Sequence, residues 1–148
     1  MQLQRGQAWP ARATKSVPFT GAANLGATGT TTTYFTVTGE VLIEKIVPFC
    51  TVDLTESGAV SQVSLGVTGS VSLFIGVTDT DLIDANEFWV DATPDANGIA
   101  LPAALKDIVI TDNILVDCTG AVSNVNGGAL RIDVWWRPLS DNGNLVAA

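Results

Sequence analysis

Histidine is absent from this chain, and basic side chains are scarce: seven Lys and Arg stand against fifteen Asp and Glu, giving a net charge of −8. Without histidine, Ser-His-Asp and Cys-His activation of a nucleophile is excluded, and so is the commonest transition-metal ligand. The acid excess repels phosphate backbones, so no nucleic-acid partner is expected. No apolar run approaches the ~18 residues of a membrane span, and residues 1–10 lack the apolar core of a signal peptide, so a cytosolic product without a membrane partner is expected. The two cysteines, Cys50 and Cys118, suit neither a disulfide-dense scaffold nor a CxxC metal or redox site. They read as reduced core residues, with a mutual bridge as the alternative.

What the chain does have is small and polar. Charged residues make up 15% of it, against a usual ~25%, so Thr, Ser, Gly, Asn and Ala must cover much of the surface. A monomer of this size exposes roughly 7,000 Å², and so few charges cover that area thinly, which favours burial in an assembly. The charge is also uneven. Arg5, Arg12 and Lys15 lie in the first twenty residues with no acid among them, and the remainder carries four basic and fifteen acidic residues. A basic segment touching a neighbour's acidic body fits that division.

The length suits one domain, and no repeat of 20–50 residues is visible. In residues 1–20 there is no sustained period, and Pro10 and Pro18 each remove a backbone donor, so an extended N-terminal arm is expected there, followed by a β domain over 21–148. Residues 21–33 have loop composition. Period-two alternation begins with Phe35 and Val37, and a turn at Gly39-Glu40 leads into a long strand. There Val41, Ile43, Lys45, Val47 and Phe49 share one face, and Pro48 calls for an edge, a bulge or a bend. A hairpin is expected on either side of Gly69-Ser70 and a second around Asp112-Asn113. Between them, the acidic connection 78–102 could hold a helical turn or a short strand. In the last strand Leu130, Ile132, Val134 and Trp136 face one way, and Arg131, Asp133, Trp135 and Arg137 the other. Seven or eight short strands with almost no helical period predict an all-β fold, an antiparallel β-sandwich that is jelly-roll-like.

Gly21 and Gly26 have phosphate-loop spacing, but Ala27-Thr28 stand where Lys and Ser/Thr are needed. Asp79, Asp81 and Asp84 loosely resemble a Ca²⁺ loop without its glycine and bidentate glutamate, so turn capping and solvation are the expected role of these acids and no metal is assigned. Glycoside hydrolysis needs paired carboxylates around a cleft, and no aromatic-rich cleft pattern accompanies the acids. The expectation is no enzyme, no catalytic residue and no cofactor.

The aromatic residues say more. Alternation sends either Trp135 or Trp136 away from the core, and Trp135 shares its face with Arg131 and Arg137, the composition of an interface hot spot or of a sugar-stacking platform. Trp9, between Arg5 and Arg12, is a second anchor. The candidate interface is therefore Arg5, Trp9, Arg12, Lys15, Arg131, Trp135 and Arg137.

The stretches TTTYFTVTGEVLIEKI, DANEFWVDATPDA and RIDVWWRPLSDNGNLVAA resemble small virion structural proteins of tailed bacteriophages. The likeness covers residues 21–148 and leaves out the first twenty. It implies a head decoration or cement protein, made in the host cytoplasm and carried on the phage head surface. Such a protein binds the major capsid protein and other copies of itself, as a trimer or dimer, and bridges neighbouring shell subunits. The alternatives are a carbohydrate- or receptor-binding module of a head fibre or tail, and a neck or tail ring component. On the cement reading, deleting residues 1–16 is expected to abolish particle binding and leave the body folded.

Overall fold

The computed structural model describes residues 9–118 and 122–148. It is an antiparallel β-sandwich of two five-stranded sheets, and among the described residues the helical structure is limited to two short 3₁₀ turns, at Thr80–Leu82 and Ala103–Leu105. No helix among the described residues is long and apolar enough to cross a membrane.

The first sheet is built on the long pair β3 (Val41–Glu56) and β9 (Val125–Pro138). On the other side of β9 lies β1 (Ala11–Pro18), in register from Ala11 opposite Trp136 to Pro18 opposite Ala129. On the far edge of β3, β7 (Lys106–Ile110) and β6 (Glu87–Phe88) pair in succession. The second sheet runs β10 (Asn144–Ala147), β2 (Thr31–Thr38), β8 (Ile114–Asp117), β4 (Gln62–Val67) and β5 (Ser70–Asp79). Ile46, Cys50, Leu130, Ile132, Val134 and Trp136 of the first sheet pack with Tyr34, Phe35, Leu65, Ile114 and Val116 of the second. The Tyr34 hydroxyl donates across the sandwich to the Leu130 carbonyl at 3.1 Å.

Four features differ from the sequence reading. The part of the expected arm that the structure describes is not an arm: Ala11–Pro18 is a strand of the body's own sheet, bracketed rather than interrupted by its prolines. On its inward side the small Ala11 and Ala13 lie opposite Trp136 and Val134, so the strand fits close beneath large side chains without showing a strong apolar period itself. Second, Asp112-Asn113 is not a hairpin turn, because β7 pairs with β3 in one sheet and β8 with β2 and β4 in the other. The turn crosses between sheets, and the Asn113 side chain and main chain tie it down by accepting from Val37 N at 2.9 Å and Thr68 N at 3.1 Å.

Third, a bulge between Ile43 and Lys45 resets the alternation of β3. Val41 and Ile43 point inward, but so do Ile46, Pro48 and Cys50, which leaves Lys45, Val47 and Phe49 on the outer side. Fourth, the connection 78–102 contains both a 3₁₀ turn and the short strand β6. Pro48 sits where the partner of β3 changes from β7 to β6. Its carbonyl accepts from Trp89 N at 3.2 Å on that side, so its missing N–H falls where no ladder bond is required. The expected β4–β5 hairpin is present, turning through Gly69 at φ +87°.

Both cysteines are free and buried. Burial pushes the Cys50 thiol up to about 11 and the Cys118 thiol up to about 12, so both are protonated, unreactive packing groups at neutral pH.

Candidate functional site

The solvent side of the first sheet gathers a set of side chains found nowhere else on the described surface. Strand register puts Arg12 (β1), Trp135 (β9), Lys45 (β3) and Lys106 (β7) in one row across the sheet. A second row holds Arg131 and Phe49, with Phe88 of β6 beside them. Arg137 completes the outward positions of β9, its Nε 2.7 Å from Glu44. Thus Arg12, Lys45, Lys106, Arg131 and Arg137, five of the seven basic residues of the chain, share one face of an acidic protein.

The geometry within that face is specific. Lys45 Nζ lies 4.4 Å from the Trp135 ring centroid and the Arg12 guanidinium carbon 5.6 Å from it, and the two reach the ring from the strands on either side. The Arg131 guanidinium carbon lies 4.9 Å from the Phe49 ring centroid, and Phe49 packs edge-on against Phe88 with centroids 5.0 Å apart. Each such cation–π contact contributes about 0.5–1 kcal/mol at an exposed site. Below them Asp133, whose side chain is only 6% exposed, accepts from Arg12 at 2.7 Å and from Arg131 at 3.0 Å. Burial alone would raise its carboxyl, but the Thr14 hydroxyl and the two guanidinium groups outweigh that and hold it below the ordinary range. The carboxylate orients both arginines and leaves their remaining donors facing solvent, with side chains 55% and 40% exposed.

Lys45 and Lys106 stand directly opposite each other as like charges, an arrangement that destabilises a bare sheet. Next to this row an apolar groove of about 260 Å³ is lined by Val47, Phe88, Gly98, Ile99 and Leu101. Together these groups make a cation-rimmed apolar platform, whose charge and rings complement an acidic, partly apolar surface.

Of the candidates from sequence, Arg12, Arg131, Trp135 and Arg137 come together here. Arg5 lies outside the described residues. Trp9 is elsewhere: it packs edge-on against Trp136, with centroids 5.5 Å apart, and so anchors its own strand to its own core. Lys15 has the opposite parity to Arg12 and sits at the rim between the sheets, where its ammonium donates to the Ala148 carbonyl and lines a cleft of about 410 Å³ with Leu25 and Thr33. Lys45, Phe49, Phe88 and Lys106 were missed by sequence reasoning. An outward Lys45 could have been found by allowing a bulge at Glu44, since only then do Ile46 and Cys50 join Ile43 inside.

The acidic connection shows ordinary turn chemistry. Asp91 accepts from Thr93 N at 2.7 Å, Glu87 from Asp84 N at 3.0 Å, and Asp79 from the Gln62 amide at 2.8 Å. Among the described residues no group of three or more Cys, Asp or Glu side chains is placed to hold a metal ion.

No protein-family model matches this chain, and neither do any curated protein or solved structure.

Proposed function

We propose that the protein is a structural virion component that binds the outside of a phage capsid and stabilises it by bridging neighbouring subunits, with the major capsid protein and other copies of itself as partners. The observation that carries this reading is the platform on the first sheet, where a Trp flanked by two cations, a Phe pair and two guanidinium groups on a shared buried carboxylate combine into the composition of a contact hot spot. The phage-protein phrases in the sequence supply the setting. Repetition suits such a role, because one modest contact repeated over a lattice gives a large total binding energy. The reading is non-enzymatic.

A carbohydrate-binding role fits the same face less well. Sugar stacking requires a free ring face, whereas Trp135 has a cation approaching from each neighbouring strand. The deciding experiment incubates the purified protein with expanded, undecorated capsids and counts bound copies per particle. Saturation in proportion to the number of shell subunits supports the proposal. Binding to a glycan array without capsid binding, or occupancy at a dozen or fewer sites, would reject it in favour of a receptor-binding or neck and tail role.

A further inference from the structure

The basic platform has its electrostatic complement on the same chain. Residues 46–105 hold eight acidic side chains and no basic one. Asp53, Glu56, Asp79, Asp81 and Asp84 gather at the end of the sandwich where β3 terminates, and Glu87 leads up to them from its place opposite Cys50. Glu56 accepts from the Thr80 hydroxyl, Asp53 from Ala85 N, Asp79 from Gln62 and Glu87 from Asp84 N, which ties the last turn of β3 to the segment carrying Asp81 and Asp84. Asp53, Asp81 and Asp84 are exposed, and Leu82 stands beside them 49% exposed. From Lys45 to Asp53 and Glu56 is roughly 25–35 Å at the ~3.3 Å rise of a strand residue, several screening lengths at physiological salt. Charge therefore changes sign along the β3–β9 pair, with Arg12, Lys45 and Lys106 towards one end and Asp53 and Glu56 at the other, and the two regions meet where Glu87 pairs with Cys50 beside Phe49 and Phe88.

We infer that the occupant of the platform is a second copy of this chain, which presents its acidic end to Arg12, Lys45, Lys106 and Arg131. Charge complementarity selects that partner. The opposed Lys45 and Lys106, unfavourable in the lone subunit, gain carboxylates between them, and Leu82 has the Trp135 and Phe49 rings to pack on. The contact is heterologous, since face meets end, so it leaves one face and one end free and propagates, or closes into a ring if its rotation permits. This rests on reading the platform as a contact surface. It makes links between adjacent copies, one of the two kinds of partner proposed above, the use to which the platform is put in bracing the shell.

Two one-sided variants test the pairing. Lys45→Gln with Lys106→Gln removes the charge of the platform and keeps the acidic end; Asp81→Asn with Asp84→Asn does the reverse, and neither creates a complement of reversed sign. All four positions are exposed, and thermal melting checks that both variants fold. By sedimentation at low salt, the wild-type chain should run at two or more times the 15.4 kDa monomer and fall back to monomer as salt rises. Each variant alone should stay monomeric, and an equimolar mixture should form dimers and nothing larger, because it contains one competent face and one competent end. A wild-type chain that is monomeric at low salt, a variant that associates alone as strongly as wild type, or a mixture without dimers would each overturn the inference. Capsid binding is measured separately on the monomeric variants: if they bind shells the proposed function stands whatever the self-association result, and if the wild-type platform binds only shells, the face belongs to the shell and not to a second copy.

Discussion

The two sides of β9 make the most instructive contrast in the molecule. Leu130, Ile132, Val134 and Trp136 are buried against the second sheet, whereas Arg131, Asp133, Trp135 and Arg137, interleaved with them, form the centre of the platform. Adjacent tryptophans thus have opposite roles. Trp136 is 5% exposed and supports Trp9 from within, while Trp135 is held on the outside between cations. Since neighbours on a strand differ only in the side they face, the contrast shows how far surroundings, rather than residue type, set what a side chain contributes.

Substitution can break that contrast at either side. The largest effect is expected for Trp136→Ala, which opens a cavity under Trp9 and β1 and should lower unfolding stability by about 3–5 kcal/mol in denaturant titrations. A loss below about 1 kcal/mol would mean that the inner side is not what holds β1 in place. Next comes Asp133→Asn, which takes the charge from a carboxylate shared by two guanidinium groups and should cost about 1.5–3 kcal/mol. Because the folded-state pKa of Asp133 is depressed, its contribution is present in full above the ordinary carboxylate range near ~4 and is lost as pH falls through its lower folded value. The variant should accordingly show a flatter acid limb of stability against pH than wild type, and an unchanged limb would count against the shared carboxylate.

Trp135→Ala gives up two cation–π contacts and should cost about 1–2 kcal/mol, well under Trp136→Ala, yet should abolish self-association at low salt. Equal losses for Trp135→Ala and Trp136→Ala would erase the distinction between the two sides. Tyr34→Phe removes the hydroxyl that bonds across the sandwich and leaves the Leu130 carbonyl without that donor, for an expected loss of about 1–1.5 kcal/mol. Burial holds that phenol well above its ordinary value, so wild-type protein should show no tyrosinate absorbance at pH values where the unfolded chain does.

β9 was legible in the sequence because its alternation runs unbroken from Leu130 to Arg137 and then meets Pro138. The all-β sandwich followed from the same kind of pattern elsewhere. β1 was not legible as a strand, since its inward Ala11 and Ala13 owe their fit to the bulk of Trp136 and Val134, more than a hundred residues away. Deleting residues 1–16 therefore strips most of a strand from the sheet, and is expected to unfold the body rather than trim an appendage from it. At Asp112-Asn113 the turn residues were recognised but their flanking partners were not, because turn chemistry fixes a change of direction and not which strands pair. The platform was half legible: Arg12, Arg131, Trp135 and Arg137 stood in plain alternation, whereas Lys45, Phe49, Phe88 and Lys106 reach it through a bulge and two long connections.

That bulge gives the sheet more side chains outside than inside. Opposite the single residue Trp135, β3 offers both Glu44 and Lys45, one engaging Arg137 and the other the indole ring. Removing Glu44 would leave every core residue of β3 in phase and would thin the exterior by one carboxylate, freeing Arg137. In this protein, then, an irregular joint in the backbone lets the outer surface be elaborated by one residue while the interior goes on unaltered.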